Sequence, residues 1–206
     1  MMLAILLSLG TWQLYRRSWK HARMAHIAAA MAAPGVPLGQ NPPEFQKVSV
    51  TGVLRPTPAL YAIEVRDTLK GPIEGAQLLD VLDQPTGPVL VDRGWVAIDA
   101  VPKTPVGQIT IEGFVRPPEH PGMLSVSDDP VKRRFFTLDP VRIGAAIGAD
   151  VPPFTVVALG PQGNPDPARA PPELPDNHLN YAITWYAFAF NLVVVFGIYA
   201  RKVLRS

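Results

Sequence analysis

Residues 181–200 read YAITWYAFAFNLVVVFGIYA, twenty positions without a charged side chain. At about 1.5 Å rise per helical residue they reach roughly 30 Å, the thickness of a bilayer's hydrocarbon core. Tyr181, Trp185 and Tyr186 at one end and Tyr199 at the other are interfacial aromatics, and Arg201, Lys202 and Arg205 follow directly. Basic residues beside a span mark its cytoplasmic end. The segment therefore reads as a membrane helix over 178–200 with a cytoplasmic basic tail, 201–206.

The opposite end is also apolar. MMLAILLSLGTWQLY, residues 1–15, carries no charge, but fifteen residues reach only about 22 Å. A signal peptide would want a basic stretch before the apolar run and a small-residue cleavage site after it, and neither is visible. A helix buried in a soluble core is the other alternative. The reading adopted is a first transmembrane helix over 1–20 that borrows length from its amphipathic end through Trp19, or that extends upstream of Met1. Arg16, Arg17 and Lys20 then fall outside, against the usual bias. Because roughly 165 residues separate the two helices, the C-terminal charges can still set the topology. The expectation is two spans, both termini cytoplasmic and the central domain periplasmic.

Composition agrees with membrane segments attached to a soluble middle. The chain of 206 residues is 48% hydrophobic and 17% charged, below the roughly 25% charged content of soluble domains. Nineteen basic against seventeen acidic residues form no long run or stripe, which excludes nucleic acid as the expected partner. There is no cysteine, so no disulfide or thiolate metal site can be built.

Between the ends, residues 21–44 read as an Ala-rich helical extension passing into a Pro/Gly connector. A period of two then sets in. Runs at 48–54, 61–65, 77–82, 88–98, 108–116, 134–138 and 154–159, separated by Gly and Pro, predict a β-rich domain over 45–160. A mainly antiparallel sheet, as a small barrel or a sandwich, is expected. One short helix interrupts it, because Asp139-Pro140 supplies an N-cap and a proline at the first helical position. VSVTGVLRPTP from Val48 echoes ITIEGFVRPPE from Ile109 at an offset of 61 residues; duplication or convergence on a glycine-kinked, proline-ended strand both explain it. Residues 161–177, rich in proline, read as a linker back to the membrane.

Enzyme signatures are missing: no nucleophile elbow, phosphate-binding loop, dinucleotide fingerprint or His-Glu-x-x-His pair occurs. No catalytic residue is expected. His21, His26 and His120 read as solvated. His178 differs, because it sits at the polar-to-apolar boundary of DNHLNYAITWY. On a helix it shares a face with Tyr181, Trp185, Phe188 and Leu192, while Trp12, Tyr15 and Trp19 share one on the first helix, with Arg16 beside them. Helices meeting along these faces would leave an apolar slot rimmed by imidazole and guanidinium groups. Such a slot suits a planar amphipathic ligand with carboxylate tails. A helix anchor within an ordinary aromatic belt explains the same residues.

Three stretches resemble one family. LGTWQLYR at Leu9–Arg16 is similar to the Leu-Gly-x-Trp-Gln-x-x-Arg signature of the Surfeit locus protein 1 family, the cytochrome oxidase assembly factors. VLVDRGWV at 89–96 resembles its Val-Leu-Val-Asn-Arg-Gly-Trp-Val strand, with Asp92 for Asn. NHLNYAITWY at 177–186 resembles the start of its second helix. The resemblance covers nearly the whole chain and implies a non-enzymatic assembly factor in the bacterial inner membrane. It implies haem A, with haem O or haem B as alternatives, and as partners the catalytic subunit of a haem-copper terminal oxidase, a haem A or haem O synthase, and the lipid bilayer. His178 is implied as a single axial ligand to haem iron, Asn177 standing where some relatives carry a second histidine. Trp12, Arg16, Arg17, Tyr181 and Trp185 would complete the haem site, and Arg93 and Trp95 would face a partner. The rival expectation is a haem-free scaffold or accessory subunit.

Overall fold

The computed structural model describes residues 1–68, 71–123, 125–170 and 176–205. They fall into two compact units. One comprises Met1–Ala29 and Pro172–Ser206, the other Ala30–Pro171.

The first unit is helical. Helix α1 spans Met2–Ala32, so the apolar start and the Ala-rich extension form one continuous helix, as expected where alanine, the strongest helix former, fills the later turns. Helix α3 spans His178–Val203 and is, among the described residues, the one helix long and apolar enough to cross a membrane. The N-terminal span expected from the sequence does not meet the same measure, because its uncharged run stops at Tyr15 and Arg16, Arg17 and Lys20 follow within the helix.

The second unit is mainly β. Its strands are β1 (Val36–Pro37), β2 (Lys47–Leu54), β3 (Ala59–Thr68), β4 (Gly71–Gln84), β5 (Gly87–Ala97), β6 (Gln108–Arg116), β7 (Arg134–Phe135) and β8 (Thr155–Ala158). Each of the seven expected runs contains a strand; β1, two residues in the connector, adds an eighth. β2 pairs with β6, β6 with β8, β8 with β5, β5 with β4, and β4 returns to β2 through Val53–Asp83 and Leu54–Leu82. The pairings thus run in a five-strand circuit. All five strands contribute to one apolar cluster containing Val48, Val50, Leu82, Val89, Val91, Val115 and Val156, which places it inside the circuit. A second cluster joins Leu79, Val81 and Leu90 to Tyr61 of β3, Phe135 of β7 and Ile143 of helix α2 (Pro140–Ala146). Each such fully buried aliphatic side chain contributes roughly 1.5–3 kcal/mol. Asp139 caps α2 as expected, its carboxylate accepting from the Arg142 N–H at 3.2 Å.

The two echoed segments are neighbours. β2 and β6 run antiparallel with Val50 opposite Ile111, residues that are themselves equivalent at the offset of 61. A local two-fold relation between strands demands that placement. A Cβ at Gly52 would strike the Asp83 carbonyl and one at Gly113 the Val157 carbonyl. Both glycines therefore admit the next strand's backbone.

The proline-rich segment is more tightly held than a linker. Trp95 and Asp166 exchange backbone hydrogen bonds at 2.9 and 2.8 Å, and Ala168 donates to Ala158 at 3.1 Å. Gly94, at φ +115°, has no room for a Cβ against the Asp166 carbonyl, so glycine is required between Arg93 and Trp95. Residues 171–175 of the expected linker lie outside the described residues.

Asp92 is buried in β5, accepting from the Gly94 N–H at 3.0 Å. Burial pushes its carboxyl up to about 6, opposed by that hydrogen bond and by the charge of Arg116. A carboxyl whose folded pKa is raised contributes stability fully below its unfolded pKa, about 3.8, and loses it as pH rises through about 6. Asp92→Asn keeps the acceptor without the charge. It is expected to raise stability near neutral pH by up to about 3 kcal/mol and to flatten the pH dependence across that window. Denaturant titrations at acid and neutral pH check this, and no gain at neutral pH would show that burial does not penalise the carboxylate.

Candidate functional site

A glycine on one helix leaves room for a bulky side chain of its neighbour, and α1 and α3 meet in that way. Gly10 is buried, and a Cβ there would lie 2.9 Å from the Tyr186 ring. Ala182 and Ala189, two turns apart on α3, are buried as well. The pair is antiparallel, since Gln13 meets His178 while Thr11 meets Tyr186 further along α3.

Polar contacts close the seam at the start of α3. One oxygen of Asp176 accepts from the His178 backbone N–H at 3.1 Å; the other lies 2.7 Å from His21 Nε2 and 3.7 Å from Arg17 Nε. The hydrogen bond from His21, with smaller help from the His178 N–H and the Arg17 charge, holds the Asp176 carboxyl below the usual range. The His178 ring is part-buried, its Nδ1 2.7 Å from Gln13 Oε1. Its Nε2 makes no hydrogen bond among the described residues.

The faces that meet are not those expected from the aromatic pattern. Trp12 and Tyr15 are 52% and 68% exposed, and Tyr181 is 56% exposed, whereas Gly10, Ala182 and Ala189 are the buried residues at the seam. Instead the aromatics flank it. Two right-handed helices in opposite directions place residues that lag the contact line on the same side. Arg16 and Trp12 of α1 therefore border the same flank as Tyr181, Trp185 and Phe188 of α3. Thr11 and Tyr186 border the other flank, where their hydroxyls meet at 3.0 Å. Arg16 lies over the Trp19 ring at 4.8 Å, and Trp185 packs edge-on to Phe188.

Of the expected site residues, His178, Trp12, Arg16, Tyr181 and Trp185 thus share one side or the floor of the seam, while Arg17 is turned to Asp176. Arg93 and Trp95 belong to the β-rich unit. Arg93, with a side chain 12% exposed, donates to the fully buried Asp80 at 2.8 Å; Trp95 lies across Gly75 beneath the guanidinium of Arg66, 4.7 Å from its ring. A polar cleft of about 250 Å³ nearby is lined by Arg66, Gln77, Asp92, Asp166 and Arg169. Its Asp166 is held by Arg66 at 3.4 Å and Arg169 at 2.9 Å. No group of three or more His, Asp or Glu among the described residues could hold a bare metal ion.

Sequence reasoning missed Gly10, Gln13, His21, Asp176 and Tyr186. The row Gln13, Arg17, His21, four residues apart, was visible as one helix face, but nothing local shows which residues of α3 lie opposite.

Because Gly10 receives the Tyr186 ring, Gly10→Leu is expected to destabilise the helix pair by about 1–3 kcal/mol through overpacking. Adding Tyr186→Ala, which vacates that space, should recover at least half. Thermal unfolding in detergent measures both; equal damage with and without the tyrosine ring would show that Gly10 does not accommodate it.

The comparisons with known proteins cover both units. The SURF1 family profile matches residues 1–190. The chain is 28% identical to a "SURF1-like protein" of Rickettsia felis, across 97% of this chain and 94% of that protein. It is 24% identical to "Surfeit locus protein 1" of Arabidopsis thaliana, across 96% and 75% of the two chains, and 27% identical to the mouse protein of the same name, across 86% and 66%. A profile match running from α1 through the β-rich unit into α3, with relatives in bacteria, plants and animals, shows that this chain belongs to the SURF1 family.

Proposed function

We propose that this chain is a non-enzymatic assembly factor for a haem-copper terminal oxidase, anchored in the bacterial inner membrane by α3, with α1 as a second span. Both termini face the cytoplasm and the central domain lies outside. It holds haem at the outer mouth of the helix pair and assists its delivery to the oxidase catalytic subunit; a haem A or haem O synthase is the source class.

The observation that carries this reading is the state of His178. Its ring is part-buried and tied through Nδ1, which leaves Nε2 without a hydrogen bond among the described residues, while Trp12 and Tyr181 are exposed and Arg16 lies over Trp19. These groups fit a haem: His178 Nε2 as iron ligand, Trp12, Tyr181 and Trp185 against the macrocycle, and Arg16 toward the propionates. Arg17, already beside Asp176, is the weaker propionate partner. When bound, haem A, or haem O or haem B in its place, supplies a redox-active iron centre for the oxidase. The chain's part is to bind and orient it and to shield one face from water. Arg93 and Trp95, braced by Asp80 and Arg66, stiffen the β5 surface offered to a partner.

A second reading, a haem-free scaffold or accessory subunit, is favoured by the same bond to Gln13, which alone would account for a histidine that pins two helices. Copurification separates them, since a stoichiometric oxidase partner without a haem spectrum supports the scaffold.

Full-length protein purified from cells making haem A is expected to show a haem absorption spectrum, and His178→Ala to lower haem affinity tenfold or more, on the order of what disturbing a metal ligand costs. Arg16→Ala is expected to cost less than about fivefold, as for an exposed ion pair. Unchanged haem content in His178→Ala rules out the ligand role.

A further inference from the structure

A neutral imidazole carries one proton on one of two nitrogens, and only the bare nitrogen can ligate a metal. Which one is bare is decided by the partner of the other. At His178 that partner is the side-chain oxygen of Gln13, 2.7 Å from Nδ1. An amide oxygen only accepts, so the bond requires the proton on Nδ1 and leaves the lone pair on Nε2. The bond also crosses from α1 to α3, between residues 165 apart in sequence, so it fixes the ring's rotation relative to both helices. The backbone of the same residue is held separately, by Asp176.

We propose that Gln13 is the positioning residue of the haem ligand, locking His178 in the tautomer that presents Nε2. This rests on the reading that His178 ligates haem iron. The choice of a neutral amide has a consequence. A carboxylate in this place would make the imidazole a stronger donor; an amide orients the ring without that push, which suits a carrier that must release its cargo. The lock exists only while Gly10 lets the two helices stay in contact, so ligand orientation and helix pairing are coupled.

Two measurements on the full chain in detergent test this. In ligand-free protein labelled with ¹⁵N-histidine, long-range proton–nitrogen correlation spectra should show His178 protonated at Nδ1. Gln13→Leu should shift that balance toward the Nε2–H form about three- to tenfold, the worth of one hydrogen bond, while Gln13→Glu retains it. In titrations with haem A, Gln13→Leu should weaken affinity about 10–100-fold, and Gln13→Glu should bind at least as tightly as the parent. Gln13→Glu also guards against simple misfolding, since it keeps size and acceptor together. A proton on Nε2 in the parent, or haem affinity unchanged in Gln13→Leu while His178→Ala abolishes it, overturns the proposal. Unchanged haem affinity in His178→Ala sinks the ligand reading instead, while the tautomer spectra still decide whether Gln13 locks the ring.

Discussion

The arrangement of the helical unit hangs on the absence of one side chain. At Gly10 the ring of Tyr186 occupies the space a Cβ would take, and Ala182 and Ala189 are buried on the other helix. Beside that contact a glutamine side chain on one helix reaches a histidine ring on the other. The polar contacts at the mouth follow from the packing below them: Gln13 to His178, and His21 and Arg17 to Asp176. Steric fit at Gly10 and a few hydrogen bonds mark the faces that meet.

The β-rich unit answers to a different constraint. Its strands are drawn together by water's exclusion from aliphatic side chains, and its special residues manage places where backbone comes too near backbone. Gly52 and Gly113 admit neighbouring carbonyls at matched positions of two antiparallel strands, and Gly94 admits the returning chain at Asp166. The same packing buries charge. Asp80 is paired with Arg93, but Asp92 has only the Gly94 N–H and the more distant Arg116 to offset its burial. Asparagine at that position would carry no such penalty.

Much of this was legible in the sequence because its causes are local. Twenty uncharged residues define α3, a period of two defines the strands, and Asp139-Pro140 starts α2. The three family stretches were visible too, since glycines and site residues stand close together in them. What stayed hidden is what depends on distant partners. The aromatic faces of α1 and α3 suggested a stacked seam, yet the ring received there is Tyr186, against Gly10, and Gly10, Ala182 and Ala189 are buried, their small size carrying little hydrophobic signal. Arg93 read as a surface contact because its buried partner, Asp80, lies thirteen residues away on another strand. Asp166 and Ala168 join the sheet through backbone bonds, which leave no mark on side-chain pattern.

The central claim is that α1 and α3 lie antiparallel with Gln13 facing His178. The chain has no cysteine, so a pair of introduced cysteines reports its own proximity without background. In native membranes a short bifunctional thiol reagent should link Gln13→Cys to His178→Cys efficiently and leave Tyr15→Cys with His178→Cys unlinked, because Tyr15 lies roughly 200° around the helix from Gln13. Equal linking of the two pairs, or preference for the Tyr15 pair, would contradict the account.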